Sequence, residues 1–204
     1  MNLNLNSSKI LEEAVNQLSI LPGIGKKTAL RFALYLLKKD ITEIEYFTKS
    51  ILKLKTELKF CKICHNLSDD NICLFCNNKK RNNQIICVVE NINDILAIEA
   101  TMQYTGLYHV LGGVISPADG ISPAELNIKS LIERIDNEEV SEVILALPTT
   151  MEGDTTNFYI SKKINNPNIK LSVLSRGIAI GDELQYTDEI TLGQSIINRK
   201  QYLV

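Results

Sequence analysis

The chain has 204 residues, of which 45% are hydrophobic and 23% charged, a composition that excludes disorder as its main state. No apolar run approaches the roughly 20 residues that cross a bilayer, and the N-terminus lacks a signal-peptide pattern, so we expect a cytoplasmic protein without a membrane partner. The formal net charge of −2 hides an asymmetry: residues 1–85 carry 14 basic and 8 acidic side chains, and residues 86–204 carry 8 basic and 16 acidic. A basic first part suggests an anionic partner, although chance variation explains it equally well.

The first part of the chain is predicted to be helical. Apolar residues recur at helical spacing over residues 7–19, 26–38 and 41–59, and a Pro-Gly turn joins the first two of these segments. A cysteine-rich loop follows at residues 61–76. The polar stretch at residues 77–83 indicates a linker or an exposed arm, whose basic residues 79–81 either extend a basic surface or stay solvated.

From residue 85 onward, short apolar segments alternate with helical ones. The pattern predicts strands at residues 85–89, 108–111, 142–147 and 170–174. Helices are predicted between them, at residues 93–104, 123–136 and 155–164. This alternation indicates a parallel sheet flanked by helices. Turn signals and a short helical end occupy residues 177–204.

Four cysteines are predicted to hold a structural zinc ion. Two Cys-x2-Cys pairs, separated by eight residues, can place four thiolates at the corners of a tetrahedron and leave no open position for a substrate. In a cytosolic chain this pattern favours metal over disulfides, and free or redox-active cysteines are the alternative. We expect His65 to be an exposed neighbour, with replacement of one thiolate by His65 as the alternative, and His109 and Cys87 to be structural. The predicted zinc ligands are Cys61, Cys64, Cys73 and Cys76.

A second candidate site lies in the turn between the first two helices. Gly23 and Gly25 permit a tight turn, and the free N–H groups at the start of the next helix form an anion site. Lys26, Lys27 and Arg31 add positive charge. The pattern resembles the helix-hairpin-helix motif, which binds DNA phosphates without sequence preference. An ordinary connection between two helices is the alternative, and a Walker-type loop is excluded because its sequence pattern is missing.

The order of these motifs resembles that of the bacterial RecR family of recombination mediator proteins, over nearly the whole chain. The resemblance implies an α+β, multi-part fold in four segments. These are a helix-hairpin-helix DNA-binding domain at 1–59, a four-cysteine zinc finger and linker at 60–84, a Toprim domain with a mainly parallel α/β sheet at 85–175, and a Walker-B-like oligomerisation tail at 176–204. The matching stretches are LPGIGKKTALR, CKIC…CLFC, ICVVEN, YHVLGGVISPADGISP, EVILALPTTMEGDTT and SRGIAIGDEL…TL.

The resemblance also bears on catalysis. In catalytic Toprim domains a Glu after the first strand and an Asp-x-Asp motif bind Mg²⁺ for phosphoryl transfer. Glu90 matches the first position, but Pro148 and Thr150 stand where the two aspartates would be, and neither is a carboxylate ligand. The nearby acids Glu152 and Asp154 leave room for weak Mg²⁺ binding at most. We therefore expect a protein that is not an enzyme, with a Mg²⁺-dependent nuclease or topoisomerase-like enzyme as the alternative.

The function implied by the resemblance is recombinational DNA repair. Members of the family form dimers and tetrameric rings that bind single- and double-stranded DNA and act with RecO, and with RecF in many bacteria, to load RecA on single strands. We therefore expect a nucleoid-associated homo-oligomer. A scaffold without a DNA role is a third alternative. The Toprim surface that carries Glu90, Asp119 and Glu152 would be the docking face for RecO, unless these acids are merely solvated.

Overall fold

The computed structural model describes residues 8–201, and the chain divides into two compact units, Met1–Leu58 and Lys59–Val204. Residue 7, at the start of the first predicted helix, and residues 202–204 of the predicted tail lie outside the described residues.

The first unit is helical, as predicted. It contains α1 (Lys9–Leu18), α2 (Lys26–Leu36) and α3 (Ile41–Thr56). Its small core lies between α1 and α2, where Val15 packs against Ala29 and Ala33, because two alanines on one face of a helix let the neighbouring helix approach closely. α3 has no fully buried residue. The second unit is larger and carries the sheet.

The second unit begins with the cysteine-rich segment. A two-residue strand, β1 (Lys59–Phe60), pairs antiparallel with β2 (Leu67–Ser68), and a single turn of helix, α4 (Leu74–Asn77), follows. This hairpin was not predicted, since the strands are too short to show alternation in the sequence.

The main sheet of the second unit has four strands in the order β4-β3-β5-β6, and all three pairings are parallel, as the alternating pattern predicts. Successive residues of the central strand β3 enter cores on opposite faces: Ile86 and Val88 on one, Cys87 and Val89 on the other. Both faces are thus covered, as is usual for parallel sheets. The elements are β3 (Asn82–Val89), α5 (Ile92–Ala100), β4 (Gly106–Val110), α6 (Ile128–Asn137), β5 (Glu142–Ala146), α7 (Met151–Lys163), β6 (Lys170–Val173) and α8 (Glu189–Ile197).

Two predicted helix starts were wrong. The helix predicted from residue 123 begins at Ile128, because Pro123–Glu125 form an isolated 3₁₀ turn closed by a capping box. The helix predicted from residue 155 begins at Met151, where the Thr150 side chain caps it by accepting from the N–H of Gly153. A side chain at Gly153 would overlap the carbonyl oxygen of Pro148, so this helix lies very close to the preceding turn.

Candidate functional site

The four predicted zinc ligands form one compact cluster in the second unit. Their sulfur atoms all lie within 4.8 Å of one another, and the Sγ atoms of Cys64 and Cys73 are 3.4 Å apart. A tetrahedral zinc ion with Zn–S bonds of about 2.3 Å holds its sulfurs about 3.8 Å apart, so the cluster fits zinc with small adjustment. Three of the cysteines are buried and the fourth, Cys76, is partly exposed.

The close contacts among the cysteines change the proton affinity of their thiols. Hydrogen bonding to Cys73, together with burial, raises the pKa of the Cys64 thiol to about 12, and hydrogen bonding to Cys64 raises the pKa of Cys76. The same contacts lower the pKa of Cys73. The cluster therefore favours the thiolate form at Cys73 and disfavours it at Cys64 and Cys76. Binding of Zn²⁺ supplies the positive charge that allows four thiolates and releases the remaining protons.

The knuckle around the first cysteine pair is attached to the edge strand of the main sheet. The N–H of Val110 in β4 donates to the carbonyl oxygen of Cys64 at 2.8 Å. The next residue, His65, has a φ of +60°, and its Nε2 lies 2.8 Å from Oγ of Ser130 in α6. Our expectation that His65 is an exposed neighbour was therefore wrong: the side chain is half-buried and links the zinc finger to the α/β fold.

His109 is a core residue, as expected. It is fully buried in β4, its Nε2 lies 2.9 Å from the carbonyl oxygen of Asn127, and burial lowers its pKa to about 3. The imidazole is therefore neutral at physiological pH, and its ring meets that of His65 edge to face at 5.2 Å. Cys87 is likewise buried in the sheet core.

Arg81 forms a second link that was not predicted. Its guanidinium donates to a carboxylate oxygen of Glu99 in α5 and, at 2.7 Å, to the carbonyl oxygen of Gly106. It also lies 4.6 Å from the centre of the Phe75 ring, beside the last cysteine. Only 12% of its side chain is exposed, so it neither extends a basic surface nor belongs to a solvated linker. Tyr108 donates to the other Glu99 oxygen at 2.6 Å.

The candidate DNA-binding residues lie together in the first unit, and all five are exposed. Gly23, with a φ of +78°, forms the turn, and Gly25 is the N-cap of α2. Because glycine has no side chain to cap the helix, the first backbone N–H groups of α2 have no side-chain partner. Space around both glycines is open: a side chain at either position would meet no atom within 4 Å other than those of its chain neighbours. The turn can therefore approach a phosphate closely.

The positive charge of this unit is concentrated around α2. Residues 21–39 contain five basic side chains and no acidic one. On α3, by contrast, Lys49 and Lys53 each form an ion pair with a glutamate one turn away. Within residues 8–201, no ion pair involves Lys26, Lys27 or Arg31. The paired charges of α3 cancel, so these three cations dominate the field of the hairpin.

The acidic residues of the sheet domain do not converge. Glu90 follows β3 and is half-buried, and burial together with the nearby carboxylate of Asp94 raises its pKa. Glu152 is exposed in the first turn of α7, and Asp119 is exposed in a 3₁₀ turn where it accepts from the Ser116 hydroxyl at 2.6 Å. In the part of the chain that the structure describes, the four cysteines are the only group of three or more potential ligand residues close enough for one ion.

Comparison with known proteins identifies the family. Models of the RecR helix-hairpin-helix, the RecR four-cysteine zinc finger, the Toprim domain and the RecR C-terminal segment match residues 11–54, 58–78, 84–175 and 177–200. The recombination protein RecR of Phocaeicola vulgatus is 59% identical over 94% of both chains. The RecR proteins of Bacteroides fragilis and Flavobacterium psychrophilum are 58% and 55% identical over 94–96% of each chain. The chain belongs to the RecR family.

Membership of the RecR family and the geometry of the four-cysteine cluster both indicate a structural zinc ion. The cysteine cluster lies within the region that matches the four-cysteine zinc finger of RecR, and four sulfur ligands make a closed site, so the predicted structural zinc is confirmed. The predicted fold class is confirmed as well, with the four parts in the expected order. Among residues 8–201, no helix has the length and apolar character needed to cross a membrane.

In this chain, two of the positions that the resemblance aligns with catalytic aspartates have structural roles. Thr150 caps α7, and the carbonyl of Pro148 packs against Gly153 in the first turn of that helix. Asp154, which follows, is paired with Arg176. Thr150 and Pro148 therefore hold the turn between β5 and α7.

Proposed function

We propose that this protein binds DNA through the hairpin before α2 and serves as a mediator of recombinational repair. The observation that carries the proposal is the uncapped N-terminus of α2, flanked by cations and free of acids. Backbone N–H groups at a helix start bind a phosphate oxygen, and Lys26, Lys27 and Arg31 hold adjacent phosphates. Contacts of this kind carry no base information, so binding is independent of sequence and strong only at low salt.

The test is charge reversal in the hairpin. We expect Lys27→Glu with Arg31→Glu to weaken binding to both single- and double-stranded DNA at least ~100-fold and to flatten the salt dependence, because fewer counterions are released. Both side chains are exposed, so the circular dichroism spectrum should not change. Lys49→Glu with Lys53→Glu is the matched control: it makes the same change in net charge on α3 and should leave the affinity within about threefold. Equal loss in both double variants would contradict the proposal.

Self-association is the second part of the proposal. In the first unit, Ile10, Leu37 and Ile41 are 67–82% exposed around one apolar groove. In the second unit, Ile190 and Ile197 of α8 are similarly exposed. An exposed apolar groove, with further exposed apolar side chains on α8, supports a homodimer or tetramer. Light scattering with and without DNA tests this: a dimer or tetramer agrees with the proposal, and a strict monomer under both conditions contradicts it.

The proposed partner is RecO, with RecF where it is present, and the proposed outcome is loading of RecA on single strands. The supporting features are two exposed acids of the Toprim domain, Asp119 and Glu152, together with the half-buried Glu90. We expect charge reversal at Asp119 and Glu152 to weaken RecO binding in calorimetry without altering DNA binding. Unchanged RecO affinity would place the docking face elsewhere. Fluorescence microscopy of tagged protein tests the proposed association with the nucleoid.

We further propose that the protein is not an enzyme. Pro148 and Thr150 have structural roles, and the described residues offer no carboxylate cluster for Mg²⁺. Purified protein is therefore expected neither to cleave nor to relax supercoiled plasmid in Mg²⁺. Turnover that co-purifies with the protein and is lost in Glu90→Gln would favour the nuclease or topoisomerase alternative.

A further inference from the structure

A groove runs along α2 from the hairpin toward the end of the helix. Its volume is about 510 Å³, and apolar side chains, among them Leu30 and Leu34, form part of its lining. It begins at Lys27, one of the residues of the proposed phosphate site, so the two surfaces are continuous. The groove is lined by Lys27, Thr28, Leu30, Arg31, Leu34, Tyr35 and Lys38.

The charges of the groove are all of one sign. Lys27, Arg31 and Tyr35 are spaced four residues apart and therefore share one face of α2, and Lys38 follows just beyond the helix end. No carboxylate lines the groove. From Lys27 to Tyr35 the helix rises about 12 Å, so its cations can reach more than one phosphate of an extended strand. The groove is therefore complementary to a polyanionic strand.

Tyr35 gives this basic groove an aromatic surface. Its side chain is 57% exposed, and the Lys39 ammonium lies 5.4 Å from the ring centre. Lys39 is in turn held by Glu43 at 2.8 Å, which orients the cation and, through it, the ring. An exposed aromatic ring among cations is the arrangement with which proteins stack the bases of single-stranded nucleic acid. A duplex cannot use it, because its base faces are already stacked.

We propose that Tyr35 stacks on an unpaired base of single-stranded DNA whose phosphates are held by Lys27, Arg31 and the hairpin amides. This inference rests on the proposed DNA binding and adds a strand preference to it. The hairpin binds the phosphates of either form, whereas the groove contributes only when bases are free to stack. The protein consequently favours single strands over duplex at the same salt concentration.

The first experiment compares Tyr35→Ala with Tyr46→Ala, which removes a comparably exposed tyrosine from α3. Affinities are measured by fluorescence anisotropy for oligo-dT, for duplex, and for a strand of abasic sites that has the charge of oligo-dT without bases. Tyr35→Ala should weaken oligo-dT binding about tenfold and leave duplex and abasic binding within about twofold. Tyr35→Phe should bind as the unchanged protein does, and Tyr46→Ala should have no effect.

A second measurement detects stacking directly. The chain contains no tryptophan, so Tyr35→Trp introduces a single reporter into the full-length protein. Oligo-dT should quench its fluorescence, whereas duplex or the abasic strand at saturation should not, and Tyr46→Trp should respond to none of them.

The outcomes separate the two proposals. If the unchanged protein binds none of the three DNAs, the proposed function fails. Suppose that charge reversal at Lys27 and Arg31 abolishes DNA binding, but Tyr35→Ala either has no effect or lowers the affinity for all three DNAs equally. The proposed function then stands, and the stacking proposal is overturned. It is also overturned if Tyr35→Ala changes the mass seen by light scattering, since the groove would then be an interface between copies.

Discussion

Arg81 offers the most informative test of how the zinc finger is joined to the sheet. Its guanidinium donates to Glu99 and to the carbonyl oxygen of Gly106, and it lies over the Phe75 ring. A hydrogen bond between charged groups contributes about 1.5–3 kcal/mol, and a cation–π contact adds about 0.5–1 kcal/mol. Because 27% of the Glu99 side chain is exposed, the cost of leaving that carboxylate alone is below the roughly 3–5 kcal/mol typical of a fully buried pair.

We therefore expect Arg81→Met, which keeps the apolar length of the side chain, to lower the free energy of unfolding by about 2–4 kcal/mol. Urea unfolding is followed by far-UV circular dichroism and by release of zinc to a chelating dye, and both midpoints should fall together. Adding Glu99→Gln should recover part of the loss, because no carboxylate is then left without its partner. Lys80→Met, at the exposed neighbouring position, is the control and should change stability by less than about 0.5 kcal/mol.

The ion pair between Arg81 and Glu99 also makes the stability of the protein depend on pH. Burial alone would raise the pKa of Glu99, but hydrogen bonds from Arg81 and Tyr108 lower it below its ordinary value. In the unfolded chain the pKa of Glu99 is about 4.3, and in the folded protein it is lower. The ionised carboxylate therefore stabilises the folded protein at pH values above about 4.3, and this stabilisation is lost as the pH falls through the folded-state pKa. The stability difference between the unchanged protein and Arg81→Met should thus be full at about pH 7 and shrink in acid. A change of less than about 1 kcal/mol at neutral pH, or a gap that widens in acid, would refute the reasoning.

Three further predictions concern the zinc finger and α7. Chelation of zinc at neutral pH should speed hydrogen exchange at the N–H of Val110, which donates to the zinc knuckle; protection that survives demetallation would show that β4 does not depend on the metal. His65→Gly should be about 1 kcal/mol more stable than His65→Ala in urea unfolding, because both lose the bond to α6 but only alanine is strained at a φ of +60°. Gly153→Ala should cost about 3 kcal/mol, since its Cβ overlaps a carbonyl oxygen. Gly193→Ala in α8 meets open space and should be neutral or stabilising by up to about 1 kcal/mol in the same assay.

Local patterns in the sequence were sufficient for the parallel sheet and the cysteine cluster. Strands buried on both faces appear as continuous apolar runs, and two Cys-x2-Cys pairs predict a metal site from spacing alone. The predicted start of α6 was wrong because Ser122, Pro123 and Glu125 form a complete capping signature around a turn that does not continue as a helix. Such a signature fixes only the first turn, and the extended backbone at Leu126 ends it.

Contacts between segments distant in the chain could not be predicted in this way. Arg81 stands in a run of basic residues that looks solvated, yet its partner Glu99 lies 18 residues later on a different element. His65 contacts Ser130, which lies 65 residues away. Neither pair shares a local pattern, since the pairing depends on how the zinc finger meets the sheet. The sequence contained one usable signal: an arginine just before a buried strand is poorly placed to remain in water.

These contacts give the zinc finger a role beyond its own stability. An edge strand with free backbone groups invites pairing with other chains, and proteins protect such edges by covering them. Beside β4, the carbonyl of Cys64 accepts from Val110, and α4 and Phe75 pack against Tyr108. At the opposite edge, β6 pairs only with β5 among the described residues, and Val173 there is 57% exposed. The zinc finger therefore covers part of one edge of the sheet, and the metal that folds the finger protects that edge.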